Sequence, residues 1–465
     1  MRDHIDFFLN GERVSLPADR GGRTVLGWLR EERRLPGTKE GCAEGDCGAC
    51  SVALAEIDAG IGQTVRYLPA ASCILPLVAL DGRELVTVEA LKQDGAPHPV
   101  QRAMVECHGS QCGFCTPGFV MALYTHYKNR LPRERTALCD ALAGNLCRCT
   151  GYAPILAAGA RMADYRDEEQ EAREQAACRA RLDSLPRDGT AGGGIHAPRG
   201  IAALAAALES GATPLAGGTD LGLTITKGLR DLENVVYTGN VRELKRIEEN
   251  ERHLHIGAAV TYTEVYETLA AIHPDIAELL RRLGGAQVRA CGTLGGNIAN
   301  ASPIGDTMPV LLALDCCLLL QLGNSTREMQ LSDFYIGYRK TVLRPAEFIR
   351  SIRVPKLAAG ARFAAYKLSK RFDQDISSVC AAFCVDADGS ARFGFGGMAA
   401  TPARAPRAEA AFARGVEAAC AALTEDFRPL SDHRASGWYR LTAAQNLLRK
   451  FAAGVSPRAL LELAP

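Results

Sequence analysis

Eight cysteines between Cys42 and Cys149 are spaced as two sets of thiolate ligands. Cys42, Cys47, Cys50 and Cys73 form a C-x4-C-x2-C-x22-C run. With this spacing a loop wraps a planar, anionic [2Fe-2S] cluster and turns backbone N–H groups toward its sulfurs. Gly41, Gly45 and Gly48 stand among these cysteines, where side chains would crowd the cluster or forbid the required backbone angles. Cys112, Cys115, Cys147 and Cys149 follow as a C-x2-C-x31-C-x-C set, enough thiolates for a second cluster. Four thiolates also satisfy tetrahedral zinc, and C-x2-C is a common half of zinc sites, so structural zinc competes with iron, more strongly at the second set.

The elements that must carry these residues can be read from periodicity. Ile5, Phe7 and Leu9 alternate ahead of Asn10-Gly11, a two-residue hairpin signal. Val25–Glu32 has helical spacing, and strands are expected at 50–54, 65–68 and 85–88. A hairpin, one helix and further strands around a cysteine loop is the order of a plant-type ferredoxin, over residues 1–88. From Pro99 the period becomes 3.6, with helices at 98–107, 117–128, 133–143 and 154–165: a small four-helix bundle over 89–165 with its cysteines at helix ends. Thr116 before Pro117 reads as an N-cap, and Gly144-Asn145 as a helix stop.

Residues 166–195 combine a densely charged stretch with glycine-rich 189–194 and read as an exposed helix running into a flexible linker. Beyond it, Thr213-Pro214-Leu215-Ala216-Gly217-Gly218-Thr219-Asp220-Leu221 reads as a strand entering a glycine turn, with a helix over 221–229. Such a turn can gather unpaired N–H groups and a helix dipole around a phosphate, although glycine also punctuates ordinary tight turns. The stretch from Gly292 to Thr307 is rich in small polar residues suited to facing a ligand. It is no G-x-G-x-x-G dinucleotide fingerprint, because no compact βαβ unit surrounds it and no acidic residue follows at the required distance. Strands at 348–354, 363–368, 377–385 and 391–396, then helices at 407–420 and 441–451, make a last α+β region over 346–465.

The whole chain sets further bounds. Its 465 residues allow about three domains, and 54 Lys and Arg against 53 Asp and Glu leave no electrostatic footprint for nucleic acid or an anionic membrane. The first apolar run is too short for a signal peptide, and the longest, Val310 to Leu320, is broken by Asp315. Seventeen cysteines without a leader indicate a reducing, cytoplasmic compartment rather than disulfides. The nine cysteines outside the two sets read as small buried hydrophobes, and His98, His108 and His126 as satisfied or surface histidines.

Together, Gly41-Cys42 with Cys47-Gly48 and Cys50, Gln111-Cys112-Gly113-Phe114-Cys115-Thr116-Pro117-Gly118, Gly144-Asn145-Leu146-Cys147-Arg148-Cys149-Thr150-Gly151-Tyr152 and Thr293-Leu294-Gly295-Gly296-Asn297 resemble the xanthine dehydrogenase and molybdenum hydroxylase family along essentially the whole chain. The resemblance implies a multidomain α+β protein: a β-grasp ferredoxin domain, a helical [2Fe-2S] bundle, an FAD-binding domain over 196–345 and a C-terminal flavoprotein domain over 346–465. It implies two [2Fe-2S] clusters on the two cysteine sets and FAD on Leu215, Ala216, Gly217, Gly218, Thr219, Asp220 and Leu221, on Thr293, Leu294, Gly295, Gly296, Asn297 and Asp306, and on Ile349 and Lys367. Leu283 stands where many relatives carry phenylalanine. Arg371–Ile376 matches a mobile acidic loop beside the flavin, with Gln374-Asp375 in place of the usual two aspartates.

Also implied is a small subunit whose molybdopterin cofactor sits on a large partner subunit, in a heterotetramer of two small and two large chains. Hydroxylation of xanthine or hypoxanthine belongs to that partner. Its electrons pass singly through the two clusters to FAD and leave as hydride on NAD+, because a one-electron carrier cannot deliver hydride and a flavin can collect two electrons. A hydroxylase of carbon monoxide, an aldehyde or an N-heterocycle, or a non-enzymatic iron–sulfur or zinc scaffold, are the competing readings.

Overall fold

Asn10 and Gly11 both adopt positive φ, 53° and 86°, the backbone a two-residue hairpin requires, and they join strand His4–Leu9 to Glu12–Pro17. In this computed structural model, which describes residues 1–58, 64–92 and 95–457, the hairpin opens a five-stranded sheet. Its order is Glu12–Pro17, His4–Leu9, Glu84–Val86, Ser51–Ile57, Val65–Ala71. The helical stretch from Val25 to Glu32 packs Trp28 edge-on to Phe7, 5.5 Å between rings, and closes one core with Ile5, Leu54, Leu77 and Leu85. That is a β-grasp arrangement around the first cysteine loop.

The chain divides into two compact units, Met1–Val241 with Gly284–Gly292, and Arg242–Leu283 with Thr293–Pro465. In the first, helices Pro99–Glu106, Thr116–Lys128, Arg135–Leu142 and Ala153–Arg161 bury Met104, Phe119, Leu123, Leu138 and Ile155 in a shared core. Thr116 is not the N-cap its sequence suggests. Cys115 is already helical and occupies that position, while the Thr116 hydroxyl pairs with Ser110 at 2.7 Å.

The charged helix expected within 166–195 is present and packs one side, but the glycine-rich stretch after it is a hairpin and not a flexible linker. Glu168–Asp183 is a helix that buries Cys178 and Leu182 against the bundle core, with Arg181 bound to the buried Glu84 at 2.9 Å. Thr190–Gly192 and Ile195–Ala197 pair as a hairpin, because Gly193 and Gly194 both take positive φ. This hairpin joins the parallel strands Val235–Tyr237 and Thr213–Leu215 in a four-stranded sheet.

One interior group of this unit predicts a pH response. His98 caps the Pro99 helix, its Nδ1 accepting from Val100 N at 3.2 Å. Burial, then the Lys128 and Arg166 charges, push its imidazole down to about 3. An unfolded histidine protonates near its ordinary value of ~6.5, so as pH falls the unfolded chain gains the proton first. Stability held above that value is therefore lost below it, about 2 kcal/mol by a pH of about 5. Thermal melts should show His98→Asn, which keeps a capping acceptor but does not titrate, with a shallower decline than wild type over that window; parallel curves would contradict this assignment.

The second unit is built on a five-stranded antiparallel sheet in the order Ile247–Glu249, His253–Gly257, Phe348–Pro355, Cys317–Leu322, Ser325–Gln330. Phe348–Pro355, expected in the C-terminal sheet, is instead the central strand here, bonded on both sides, and buries Ile352 and Val354 in a core with Leu254, Ile256, Leu318 and Leu320. The C-terminal sheet begins at Arg362–Leu368 and continues through Val379–Val385, Ala391–Gly396 and Ala403–Arg404. The expected 407–420 helix is two helices, Pro406–Phe412 and Val416–Asp426, broken at Gly415, whose φ is 114°. These and Gly437–Ala452 cover a core around Phe383, Phe393 and Phe451.

Candidate iron–sulfur and flavin sites

The loop from Gly41 to Cys50 turns its amides inward. The N–H groups of Glu44, Asp46 and Cys47 all point at Cys42 Sγ at 3.4 Å, and Cys42 N points at Cys47 Sγ at the same distance. Cys50 and Cys73 sulfurs lie 3.3 Å apart and buried. A side chain at Gly41 would begin 2.8 Å from Cys47 Sγ. The four sulfurs thus converge in a cradle of N–H donors, which suits an anionic sulfide cluster.

Their acidities agree. Contacts among the sulfurs split them: Cys47 and Cys73 beside Cys42 hold its thiol well below the ordinary range, Cys73 lowers Cys50, and the same contacts raise Cys47 and, through Cys42 and then Cys50, Cys73. Metal loading would release the protons that this set of thiols carries.

The second set is more open. Cys112 and Cys149 are exposed and Cys115 and Cys147 half-buried. Cys115 contacts Cys147, and Cys112 contacts Cys149. Burial raises the Cys115 thiol to about 12. Burial also raises Cys147, but the Thr150 hydroxyl at 3.2 Å and the Thr150 N–H at 3.5 Å outweigh it and leave this thiol lowered.

The two sets meet through the backbone. Leu146 N, one residue before Cys147, donates to Cys47 O at 3.0 Å. Asn145 Nδ2 donates to Gly48 O at 3.0 Å, and Ser51 Oγ donates to the same oxygen at 2.7 Å. Gln287 Nε2 then donates to both Asn145 Oδ1 and Ser51 Oγ, each at 2.8 Å. All three side chains are 2% exposed. Asn145 lies in a motif the sequence marks; Gln287 carries no local signal, since only folding brings it beside the cysteines.

The first flavin turn belongs to the same unit. Leu215 ends its strand opposite Tyr237, Ala216 to Leu221 form the turn, and the helix that follows is only Leu223–Thr226, shorter than expected. Among the described residues, Gly217, Gly218 and Thr219 donate no backbone hydrogen bond, which leaves amides for a phosphate. Gly218 packs on the segment after Cys73: a side chain there would begin 3.0 Å from Pro76 Cδ and 3.2 Å from Ile74 O. Lys227, just past the helix, donates from Nζ to Cys42 O at 2.7 Å.

In the second unit, Thr293–Asn297 is a helix start rather than a loop. Thr293 Oγ1 accepts from Gly296 N at 3.0 Å, and the amides of Leu294, Gly295 and Asn297 bond to Val260 O, Ala258 O and Thr293 O. The amides are occupied in holding this turn, and the Asn297 side chain accepts from Thr307 Oγ1 at 3.0 Å. Asp306 and Lys367 form a buried ion pair. Ile349 is buried in the unit's core. Leu283 packs at the edge of the same core. In the 371–376 loop, Arg371 N bonds Asp375 at 2.8 Å, and Arg282 stacks 4.4 Å from the Phe372 ring while bonding Phe372 O at 3.1 Å.

Comparison with known proteins matches four domain families along the chain. Residues 7–75 match a 2Fe-2S iron-sulfur cluster binding domain, 87–160 a [2Fe-2S] binding domain, 191–357 an FAD binding domain in molybdopterin dehydrogenase and 364–455 a CO dehydrogenase flavoprotein C-terminal domain. Xanthine dehydrogenase of Emericella nidulans is 32% identical over 91% of this chain and 36% of its own length, and that of Drosophila subobscura 30% identical over 86% and 35%. The chain thus spans about a third of the curated relatives it matches. Among solved structures, a chain of carbon monoxide dehydrogenase from Hydrogenophaga pseudoflava aligns over 55% of this chain and 94% of its own, with TM-score 0.52 and 28% identity. Its cofactors are accordingly [2Fe-2S] clusters and FAD, and the chain belongs to the molybdenum hydroxylase family as an iron–sulfur and FAD-binding member.

Proposed function

We propose that this chain is the iron–sulfur and FAD subunit of a cytoplasmic xanthine dehydrogenase, carrying electrons from a molybdopterin-binding large subunit that oxidises xanthine or hypoxanthine to NAD+. We assign one cluster to Cys42, Cys47, Cys50 and Cys73 and the other to Cys112, Cys115, Cys147 and Cys149. FAD is assigned to Leu215–Leu221 in the first unit and, in the second, to Thr293, Leu294, Gly295, Gly296, Asn297, Asp306, Ile349 and Lys367. When bound, the clusters supply one-electron transfer and the flavin supplies exchange between single electrons and hydride.

The observation that carries this reading is the packing of the Gly218 turn on Ile74 and Pro76, directly after Cys73. It supports the reading because Gly217, Gly218 and Thr219, which donate no backbone hydrogen bond among the described residues, belong to a turn that packs on the segment after Cys73. Around the second set, Phe114, Leu146 and Tyr152 are exposed beside the exposed Cys112 and Cys149. Apolar side chains ringing open cluster ligands suit the docking face for the molybdenum subunit, in a tetramer of two small and two large chains. No helix among the described residues is long and apolar enough to cross a membrane.

Xanthine is favoured because fused relatives of that name align along most of the chain. The carbon monoxide dehydrogenase likeness supports the second reading, the same relay serving another hydroxylase. Purified protein should carry about four irons and one flavin per chain; zinc without colour would reject the assignment. Cys147→Ser should abolish one of two electron paramagnetic resonance signals and leave FAD bound, and retention of both signals would reject that ligand. Capture of the native partner, with molybdenum analysis and xanthine-dependent NADH formation, separates the xanthine reading from hydroxylases of other substrates.

A further inference from the structure

Gln287 lies on the six-residue helix Ala286–Cys291, inside the flavin-binding stretch of the sequence but packed within the iron–sulfur unit. This helix touches three things at once. At its start, the Gln287 carboxamide stands against Gly144 so closely that any side chain there would collide with Oε1. From the same carboxamide, Nε2 reaches Asn145 and Ser51, and those two share Gly48 O. At its end, Cys291 O abuts Gly217 of the first flavin turn, again with no room for a side chain. Arg289 anchors the middle, bonding Gly284 O at 2.7 Å and Asp140 O at 3.4 Å.

Three loops that must each hold a cofactor are therefore registered by one short helix and one buried amide. Buried polar networks of this kind give a unique geometry only when every member is satisfied. Gln287 has the right chemistry: its NH2 group offers two donors to two acceptors, which neither a carboxylate nor a thioether of similar length can do.

We propose that Gln287 is the positioning residue that fixes the separation of the two iron–sulfur sites and places the first flavin turn against the Cys73 loop, so that the rate of electron passage along the chain depends on this one buried amide. This rests on the cofactor assignment above. Iron pairs held by Cys112, Cys115, Cys147 and Cys149 and by Cys42, Cys47, Cys50 and Cys73 would supply one-electron transfer when bound; Gln287 would only set their spacing and would be neither oxidised nor protonated.

The test uses the full chain loaded with iron and FAD, in wild type and in Gln287→Met, which keeps length but donates nothing. The magnetic interaction between the two clusters is read from low-temperature electron paramagnetic resonance of dithionite-reduced protein. Flavin reduction after flash photoreduction of the clusters gives the rate. Gln287→Met is expected to retain its cofactors, to change the splitting between the two signals and to slow flavin reduction on the order of tenfold, because small misplacements of reacting partners carry large rate penalties. A purely structural lesion would lower stability and iron content but leave the splitting of the loaded fraction unchanged. Should Gln287→Met be recovered without iron, Ser51→Ala, which removes the hydroxyl that accepts from Gln287 and donates to Gly48 O but leaves the Gln287–Asn145 bond, is expected to alter the same two readouts by a smaller factor. Wild-type splitting with flavin reduction within about twofold of wild type in a loaded variant overturns the proposal. Wild-type protein free of iron or flavin overturns the cofactor assignment itself, a result distinguishable from the first.

Discussion

Gly48→Ala is expected to destabilise the first unit by about 2–5 kcal/mol and to empty the site of Cys42, Cys47, Cys50 and Cys73, through backbone strain of ~1–2 kcal/mol and overpacking of ~1–3. Gly48 has φ +69°, a left-handed conformation that an L side chain adopts at a cost. An added Cβ would also collide with Gly144 O and lie 2.5 Å from Asn145 Nδ2. Asn145 would then be pushed off Gly48 O, and with it the bonds to Gln287 and Ser51. On the opposite side, Gly118 leaves no room for retreat, since it packs against Gly48 O and Ala49.

Gly113→Ala is the matched control. Gly113 has φ +86° and lies between Cys112 and Cys115, yet nothing stands within 4 Å of an added Cβ. It isolates the backbone term, about 1–2 kcal/mol. Calorimetry and iron analysis of both variants decide the matter: Gly48→Ala should lower the melting temperature by about 10 °C at ~2–4 °C per kcal/mol and halve the iron, while Gly113→Ala should lower it by about half as much or less and keep its iron. Equal effects would mean that close packing at Gly48 contributes nothing.

The contrast between those glycines also explains what was legible in the sequence. Local spacing carries local elements, so the Asn10-Gly11 hairpin and the helices of the bundle could be read residue by residue, and the two cysteine runs could be marked as candidate ligand sets. Sheet order was not, because it depends on which distant strands pair. Phe348–Pro355 has the same alternating pattern whether it begins one sheet or fills the centre of another; only its partners His253–Gly257 and Cys317–Leu322 decide. Glycine-rich 189–194 reads equally as linker or hairpin until Gly193 and Gly194 take left-handed backbone. Thr293–Asn297 has the composition of a ligand loop, yet its amides close a helical turn. Gln287 had no signal at all, since a buried amide acquires its role from neighbours 142 and 236 residues away.

In the second unit, Lys367→Met is expected to cost about 3–5 kcal/mol, because it leaves the Asp306 carboxylate buried without its counter-charge. Both side chains are nearly sealed, 2% and 8% exposed, and Ser377 Oγ, 2.5 Å from Asp306 Oδ1, supplies a hydrogen bond but no charge. Asp306→Asn with Lys367→Met removes both charges and should recover much of the loss, a coupling of about 2–3 kcal/mol. Urea unfolding of the single and double variants measures it; additive losses would show that the pair contributes no interaction energy.

The double variant also separates structure from ligand binding. If this pair only braces strand Arg362–Leu368 against the start of helix Thr307–Ala313, restoring stability restores FAD content. If it faces the flavin, as proposed, the double variant folds yet releases FAD on dilution, with affinity reduced by about tenfold or more, since a charge-assisted hydrogen bond contributes about 1.5–3 kcal/mol. Neutralising the pair therefore tests whether Asp306 and Lys367 are buried for the sake of the fold or for the flavin assigned to them.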